Sequence, residues 1–216
     1  MRIAVFGATG GTGRAVIKEA LGLEYTVTAF ARDASKIAAA EGVTVLEDDV
    51  MKEVDVAPVL VGQDAVIVSL GNSQNPFAML VGARRTTPRD VCEIGTRNIL
   101  GALPKGSQTP IIVVGAFGIG DTREQLPFMF KLFYRLFLRE QMADKERQDT
   151  VLRGSDANYT LIQPVALTDK PGIGTWTTSS DGTIGKSEVG RSDLAQYLVS
   201  LCADGKRSGE TVTFSG

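Results

Sequence analysis

The chain contains no histidine. That absence excludes a serine–histidine–aspartate triad, histidine ligation of a metal and imidazole acid–base work. Its two cysteines, Cys92 and Cys202, stand far apart and share no metal-like spacing, so a transition-metal site built from protein ligands is not expected. They read as small buried hydrophobes in a reducing cytoplasm. No apolar run approaches the ~20 residues of a membrane span, so stable membrane insertion is not expected. The formal net charge is −2, which gives no basic field for nucleic acid. Internal repeats and low-complexity linkers are missing, and the chain opens on a strand rather than on a secretory leader. One cytoplasmic domain, monomeric or homodimeric, is expected for 216 residues that are 43% hydrophobic and 22% charged.

What is present begins at the first dozen residues. Ile3-Ala4-Val5-Phe6 is an apolar run of strand character, and Ala15, Val16, Ala20 and Leu21 fall at helical spacing. Between them lies Gly7-Ala8-Thr9-Gly10-Gly11-Thr12-Gly13. A strand thus feeds a glycine-rich turn that opens a helix. Glycines at 7, 10 and 13 let backbone approach a bulky anion, and the helix N-terminus offers free N–H groups and a positive dipole end. In a βαβ chain this is most often a dinucleotide pyrophosphate site. The spacing is G-x-x-G-x-x-G rather than the older G-x-G-x-x-G, and a tight turn with no ligand is the competing reading.

Further along, Tyr25 to Phe30 reads as a second strand ending at Ala31-Arg32-Asp33. In a doubly wound fold this strand end meets the adenosine ribose, roughly 20 residues past the glycine loop. An arginine there accommodates the 2′-phosphate of NADP, so Arg32 is the candidate partner, with Lys36 one helical turn on. Asp33 reads as the N-cap of a helix running through Ala40. Val43 to Leu46 is a third strand, followed by Glu47-Asp48-Asp49-Val50. A carboxylate here, Asp48 or Asp49, is placed either to accept from the adenine amino group, with Val50 on the ring, or to cap the helix from Val54 to Leu60. Asp64 to Gly71 is a fourth strand, apolar enough to be buried on both faces. Its end, Leu70-Gly71-Asn72, falls beside the cofactor ribose.

An irregular stretch from Ser73 to Pro88 holds Pro76, Phe77, Met79, Gly82, Arg84 and Arg85. Arg84, Arg85 and Arg89 read first as solvated arginines, and second as contacts to a phosphate or acidic substrate. A helix from Pro88 to Leu103 and a fifth strand, Pro110 to Val114, follow. Alternating strands and helices imply a parallel sheet with right-handed crossovers. Leu126 to Arg153 carries one long helical pattern. Its first half is crowded with Phe128, Met129, Phe130, Leu132, Phe133, Leu136 and Phe137, beside a basic stripe of Lys131, Arg135 and Arg139. Core, lid or interface is favoured there over a membrane-surface helix, because Pro127 and Arg139 bound a short segment. Asn158 to Gln163 is a sixth strand, Gly174 to Thr178 pairs with Gly182 to Gly185 in a possible short hairpin, and Arg191-Ser192-Asp193 caps a last helix, Leu194 to Cys202. Glu210 to Phe214 closes the chain as a strand. Residues 164–190 form a small C-terminal substrate lobe on this single domain.

These pieces resemble the atypical short-chain dehydrogenase/reductases with an NAD(P)H-binding domain, a group that includes NmrA-like proteins and the biliverdin reductase B (flavin reductase) type. The matching residues are the glycine loop, Arg32-Asp33-Ala34-Ser35-Lys36, Asp49-Val50, Gly62 to Val68, Gly95 to Leu100, Asp144-Lys145, Tyr159 to Pro164 and Arg191 to Ala195. The resemblance implies a Rossmann-type doubly wound parallel α/β sheet, helices on both faces, with NADP(H) at its carboxyl edge. On that analogy Gly7, Thr9, Gly10, Gly11, Thr12 and Gly13 hold the pyrophosphate. Arg32, Lys36, Asp49 and Val50 take the adenosine end, and Leu70, Gly71 and Asn72 the ribose. Gly115, Lys145, Gln163, Pro164 and Val165 surround the nicotinamide.

The departures are equally informative. The superfamily's catalytic serine aligns with Gly115 or Ala116, and its tyrosine, four before Lys145, with Gln141. Without that tyrosine, ordinary carbonyl chemistry loses its proton donor. Lys145 is then expected to position rather than to act as acid or base. The biliverdin reductase B type also lacks the tyrosine and positions the nicotinamide against a flat conjugated acceptor. The expected activity is NADPH-dependent reduction of a small planar acceptor such as a flavin, quinone or tetrapyrrole-like compound. The alternative is a non-catalytic NADP(H) redox sensor of the NmrA type.

Overall fold

Along Ile3-Ala4-Val5-Phe6 every residue is fully buried, and successive side chains enter opposite layers. Ile3 and Val5 join one hydrophobic cluster, Ala4 and Phe6 another. A strand covered on both faces reads as an unbroken apolar run, which is why this stretch is so plain in the sequence. The computed structural model describes residues 1–72, 84, 86–126, 128–204 and 209–216. Pro76, Phe77, Met79, Gly82, Arg85 and Pro127 lie outside the described residues, as do the side chains of Phe128 and Phe130.

The strands are β1 (Arg2–Phe6), β2 (Thr26–Ala31), β3 (Val43–Glu47), β4 (Ala65–Val68), β5 (Ile111–Val114), β6 (Tyr159–Pro164), β7 (Ala166–Thr168), β8 (Thr177–Ser179), β9 (Glu188–Gly190) and β10 (Glu210–Ser215). Eight form one sheet in the order β3-β2-β1-β4-β5-β6-β10-β8, while β7 and β9 pair separately. Every contact in the large sheet is parallel except β10 with β8. The helices are α1 (Gly11–Gly22), α2 (Glu53–Leu60), α3 (Val91–Gly101), α4 (Phe128–Phe137), α5 (Arg139–Arg153) and α6 (Arg191–Asp204). Helices α1 and α6 cover one face through Val16, Ala20, Leu194 and Leu198. Helices α2, α3 and α5 cover the other through Val56, Val59, Ile99 and Leu152. Chain order reverses between β1 and β4, so a crevice opens at their carboxyl ends.

The chain departs from its sequence reading in four places. The helix expected through Ala40 is a single 3-10 turn, Ala34–Lys36, because Asp33 caps Ser35 N and Ile37 is already extended. The pattern from Leu126 to Arg153 breaks at Leu138 into α4 and α5. No hairpin joins 174–178 to 182–185: β8 pairs antiparallel with β10 instead. Asp193 does not cap α6. It lies inside that helix and accepts from the N–H groups of Ile173 and Gly174 at 3.2 and 3.0 Å.

Trp176 and Tyr197 pack on Phe214 with ring centroids 5.8 and 5.1 Å away, seating the 164–190 segment on the sheet. On α4, Met129, Leu132, Phe133 and Leu136 are exposed while Tyr134 packs against the core. Among the described residues no helix is long and apolar enough to cross a membrane.

Candidate functional site

At the chain reversal lies a cavity of about 350 Å³. Its floor is the glycine loop: Gly7, Thr9, Gly10, Gly11 and Thr12 line it. Gly7 has φ +81°, and a Cβ there would stand 2.3 Å from Ser69 O. Only glycine combines that turn with so close an approach to the next strand. Gly13 does not line the cavity. It is buried beneath, where a Cβ would meet Gly7 O at 2.2 Å, so its role is to seat α1 under the loop. The N-terminus of α1 carries no side-chain cap and no acidic residue in its first turn. Its dipole therefore faces the cavity unopposed by a carboxylate of its own.

Phe30, Ala31, Arg32, Asp48 and Val50 wall the end of the cavity where the sequence reading expects the adenosine. Arg32 donates from Nη1 to Thr86 O at 2.9 Å and from Nη2 to Thr87 Oγ1 at 3.5 Å, and Thr87 also lines the cavity. Val50 is held from behind by Asn98, whose amide donates to Val50 O at 2.8 Å. Two residues expected at this end do not line the cavity. Lys36, the last residue of the 3-10 turn, pairs with Asp33 at 3.0 Å. Asp49 accepts from Met51 N at 3.1 Å and closes the turn into α2, leaving Asp48 as the lining carboxylate. The neighbouring Asp55 carboxylate, able to share a proton with it, holds the Asp48 carboxyl above its ordinary range.

At the other end Leu70, Gly71 and Asn72 follow β4, while Val114 ends β5 and Gly115 follows it. Lys145, on α5, bridges these two strand ends. Its Nζ donates to Leu70 O at 2.8 Å, to Val114 O, and to Gln148 Oε1 at 3.0 Å. An ammonium has three N–H bonds, and all are engaged. Gln148 is fully buried and is itself anchored by donating to Thr96 Oγ1 at 2.8 Å. Lys145 thus fixes the spacing of the strand ends that border the crevice.

Gln163, Pro164 and Val165 stand outside the cavity lining. Gln163 is fully buried, accepts from Thr122 Oγ1 at 2.8 Å and donates to Ile119 O at 3.2 Å. Pro164 O accepts from Phe117 N, and Val165 belongs to the core. Leu167 and Arg191, which sequence reasoning did not place in the site, also line the cavity. Ser69, Thr87 and Val91 complete the lining.

Beyond Lys145 lies a smaller cavity of about 170 Å³, lined in part by Asn72, Arg89, Cys92, Ala116, Gln141 and Lys145. Gln141, matched to the superfamily tyrosine, and Ala116, one of the two positions matched to its serine, both line it, while Gly115, the other, lines the larger cavity. Among the described residues no serine, threonine or tyrosine hydroxyl lines the smaller one. Burial pushes the Cys92 thiol up to about 12, so it is no proton donor either. Arg89 faces Glu140 at 3.6 Å. Arg84 is exposed.

A strand–glycine loop–helix at a chain reversal, with an arginine at the second strand's end, defines a dinucleotide-binding Rossmann domain. Residues 7–205 match the NAD(P)H-binding family, and the chain belongs to it. It is 26% identical over 203 residues to an uncharacterized chloroplastic protein of Arabidopsis thaliana, At2g34460, covering 92% of this chain and 70% of that one. Among solved structures, the oxidoreductase ylbE of Lactococcus lactis superposes with a TM-score of 0.79 at 21% identity, over 100% of this chain and 91% of the other. ChuY, an anaerobilin reductase of Escherichia coli O157:H7, does so with a TM-score of 0.76 at 21% identity, over 100% and 96%.

Proposed function

We propose that this protein is an NADPH-dependent reductase of small planar conjugated acceptors, of the flavin, quinone or tetrapyrrole-like class. The observation that carries the reading is that, among the described residues, no hydroxyl lines the smaller cavity beside Lys145, where Gln141 and Gly115 or Ala116 stand at the positions of the usual proton-delivering pair. The cradle fits the dinucleotide. Gly10 and Gly11 line it without a side chain, and the α1 N-terminus is uncapped. Arg32 supports the choice of the 2′-phosphorylated form, its planar fork matching a phosphate. When bound, the nicotinamide supplies a hydride; one solvent proton completes the two-electron reduction, and NADP⁺ leaves.

The chain's own residues hold and orient. The loop and α1 fix the pyrophosphate, Val50 and Asp48 border the adenine, and Lys145 holds the ends of β4 and β5 at a set separation. A conjugated acceptor needs little more than that, because proximity supplies most of the rate and solvent can deliver the proton. The reductase ChuY, acting on anaerobilin, is an analogue at the level of fold. The two unpaired, buried cysteines suit a reducing cytoplasm.

A second reading, a non-catalytic NADP(H) sensor, is favoured by the exposed apolar face of α4 beside Arg135, which offers a surface for a partner. Steady-state oxidation of NADPH against a panel of flavins and quinones separates the two. Acceptor-dependent turnover is expected. Tight dinucleotide binding with no turnover across the panel would favour the sensor.

A further inference from the structure

Arg191 begins the last long helix, yet its side chain lies across the first. A Cβ built on Gly11 would stand 2.8 Å from Arg191 Nε and 2.9 Å from its Cδ. The guanidinium therefore crosses the space that any larger residue at position 11 would claim. It lines the large cavity together with Gly10, Gly11 and Thr12. Its side chain is 27% exposed, and Nη1 donates to Asp169 Oδ1 at 2.8 Å. Asp169 itself is 88% exposed, so this ion pair sits at the solvent edge and engages only one of the guanidinium's five N–H donors.

Two positive features thus stand side by side: a guanidinium and the uncapped N-terminus of α1. Placed together with no carboxylate from α1's first turn between them, they repel unless an anion lies between. The anion the fold brings to this point is the dinucleotide pyrophosphate. We infer that Arg191 is a pyrophosphate-binding residue of this chain, with Asp169 holding its fork in position. Gly11 is small because the arginine occupies the place of its side chain. The inference rests on membership of the NAD(P)H-binding family, and not on the choice of NADPH or on the acceptor.

It has a structural consequence. Arg191 immediately follows the 164–190 segment and Asp169 lies within it, since β9 runs directly into α6 and Asp169 follows β7. A dinucleotide gripped by Arg191 ties that segment to the glycine loop. The part of the chain nearest the acceptor is then ordered by the cofactor's phosphates before the acceptor arrives.

The test is the dissociation constants of NADPH, NADH and adenosine 2′-monophosphate for the native protein, Arg191→Met and Arg191→Lys. Both dinucleotides carry the pyrophosphate and the mononucleotide fragment does not. Arg191→Met is expected to weaken NADPH and NADH by the same factor, about ten- to a hundredfold, with the fragment unchanged. Arg191→Lys is expected to fall between, since it keeps the charge and loses the fork. Dinucleotide affinities within about twofold of native in both variants would overturn the inference, by the same measure of a lost charge-assisted bond. So would a fragment affinity that falls in step with NADPH, because a merely structural role disturbs the whole site. Should the methionine variant fail to fold, the lysine variant carries the same comparison. Failure of the NADPH preference leaves this test intact, because NADH reports on Arg191 equally well.

Discussion

Cys92 is 1% exposed and Cys202 2% exposed, and burial pushes both thiols up to about 12. Near neutral pH almost no thiolate is present, and the thiolate is the reactive species. Native protein at pH 8 is expected to resist a thiol-alkylating reagent, and unfolded protein to take up two equivalents. Rapid labelling of the native chain would contradict the burial. The sign for stability follows: a thiol whose folded value is raised holds its proton while the unfolded chain loses it. Stability is therefore expected to fall as the pH rises from about 9 toward about 12. At this scale the sequence places some of its candidate side chains at the cavity and others where a neighbour in the chain holds them away from it. Arg32 and Val50 line the cavity, while Lys36 is taken by Asp33, Asp49 by Met51 N–H and Gln163 by Thr122. The sequence reads Arg191 only as part of a helix cap and of the family match, since its contact with Gly11 joins opposite ends of the chain.

Helix α3 shows how one element is held by another. Its own N-cap, Asp90, makes no side-chain cap. Asp144, on α5 and 3% exposed, takes over: Oδ2 accepts from Cys92 N at 2.9 Å and Oδ1 from Glu93 N at 3.0 Å. The carboxylate satisfies two orphan donors, opposes the helix dipole and pins α5 so that Lys145, the next residue, reaches Leu70 O and Val114 O. Asp144→Ala is expected to cost about 1–2 kcal/mol, read as a lower midpoint in urea unfolding at unchanged slope. An unchanged midpoint would mean the cap contributes nothing. Legibility differs by element for physical reasons. Central strands β1, β4, β5 and β6 are buried on both faces and announce themselves as apolar runs. The break between α4 and α5 has no proline or glycine to mark it, and Leu138 turns there under tertiary packing alone. The pairing of β8 with β10 is likewise long-range, and a local hairpin pattern conceals it.

Taken as a whole molecule, the three layers serve to open one crevice at the reversal between β1 and β4 and to set its two ends apart chemically. One end is cationic, walled by Arg32, with Arg191 over the loop in the middle; the other is bordered by a fully engaged lysine and a space that no hydroxyl of the described residues lines. That asymmetry favours a dinucleotide gripped by its phosphates and a reaction that asks little of protein acids. The fold is readable from the sequence because alternating strands and helices permit few topologies. The reaction is less readable, because it depends on what is missing around Lys145. The most direct measurement is the ratio of kcat/KM for NADPH and NADH with one efficient acceptor, in the native protein and in Arg32→Ala. The expected result is acceptor-dependent turnover that prefers NADPH, with that preference falling about ten- to a hundredfold in Arg32→Ala while the NADH rate holds. Turnover with no preference, or a preference that survives the loss of Arg32, would contradict the account.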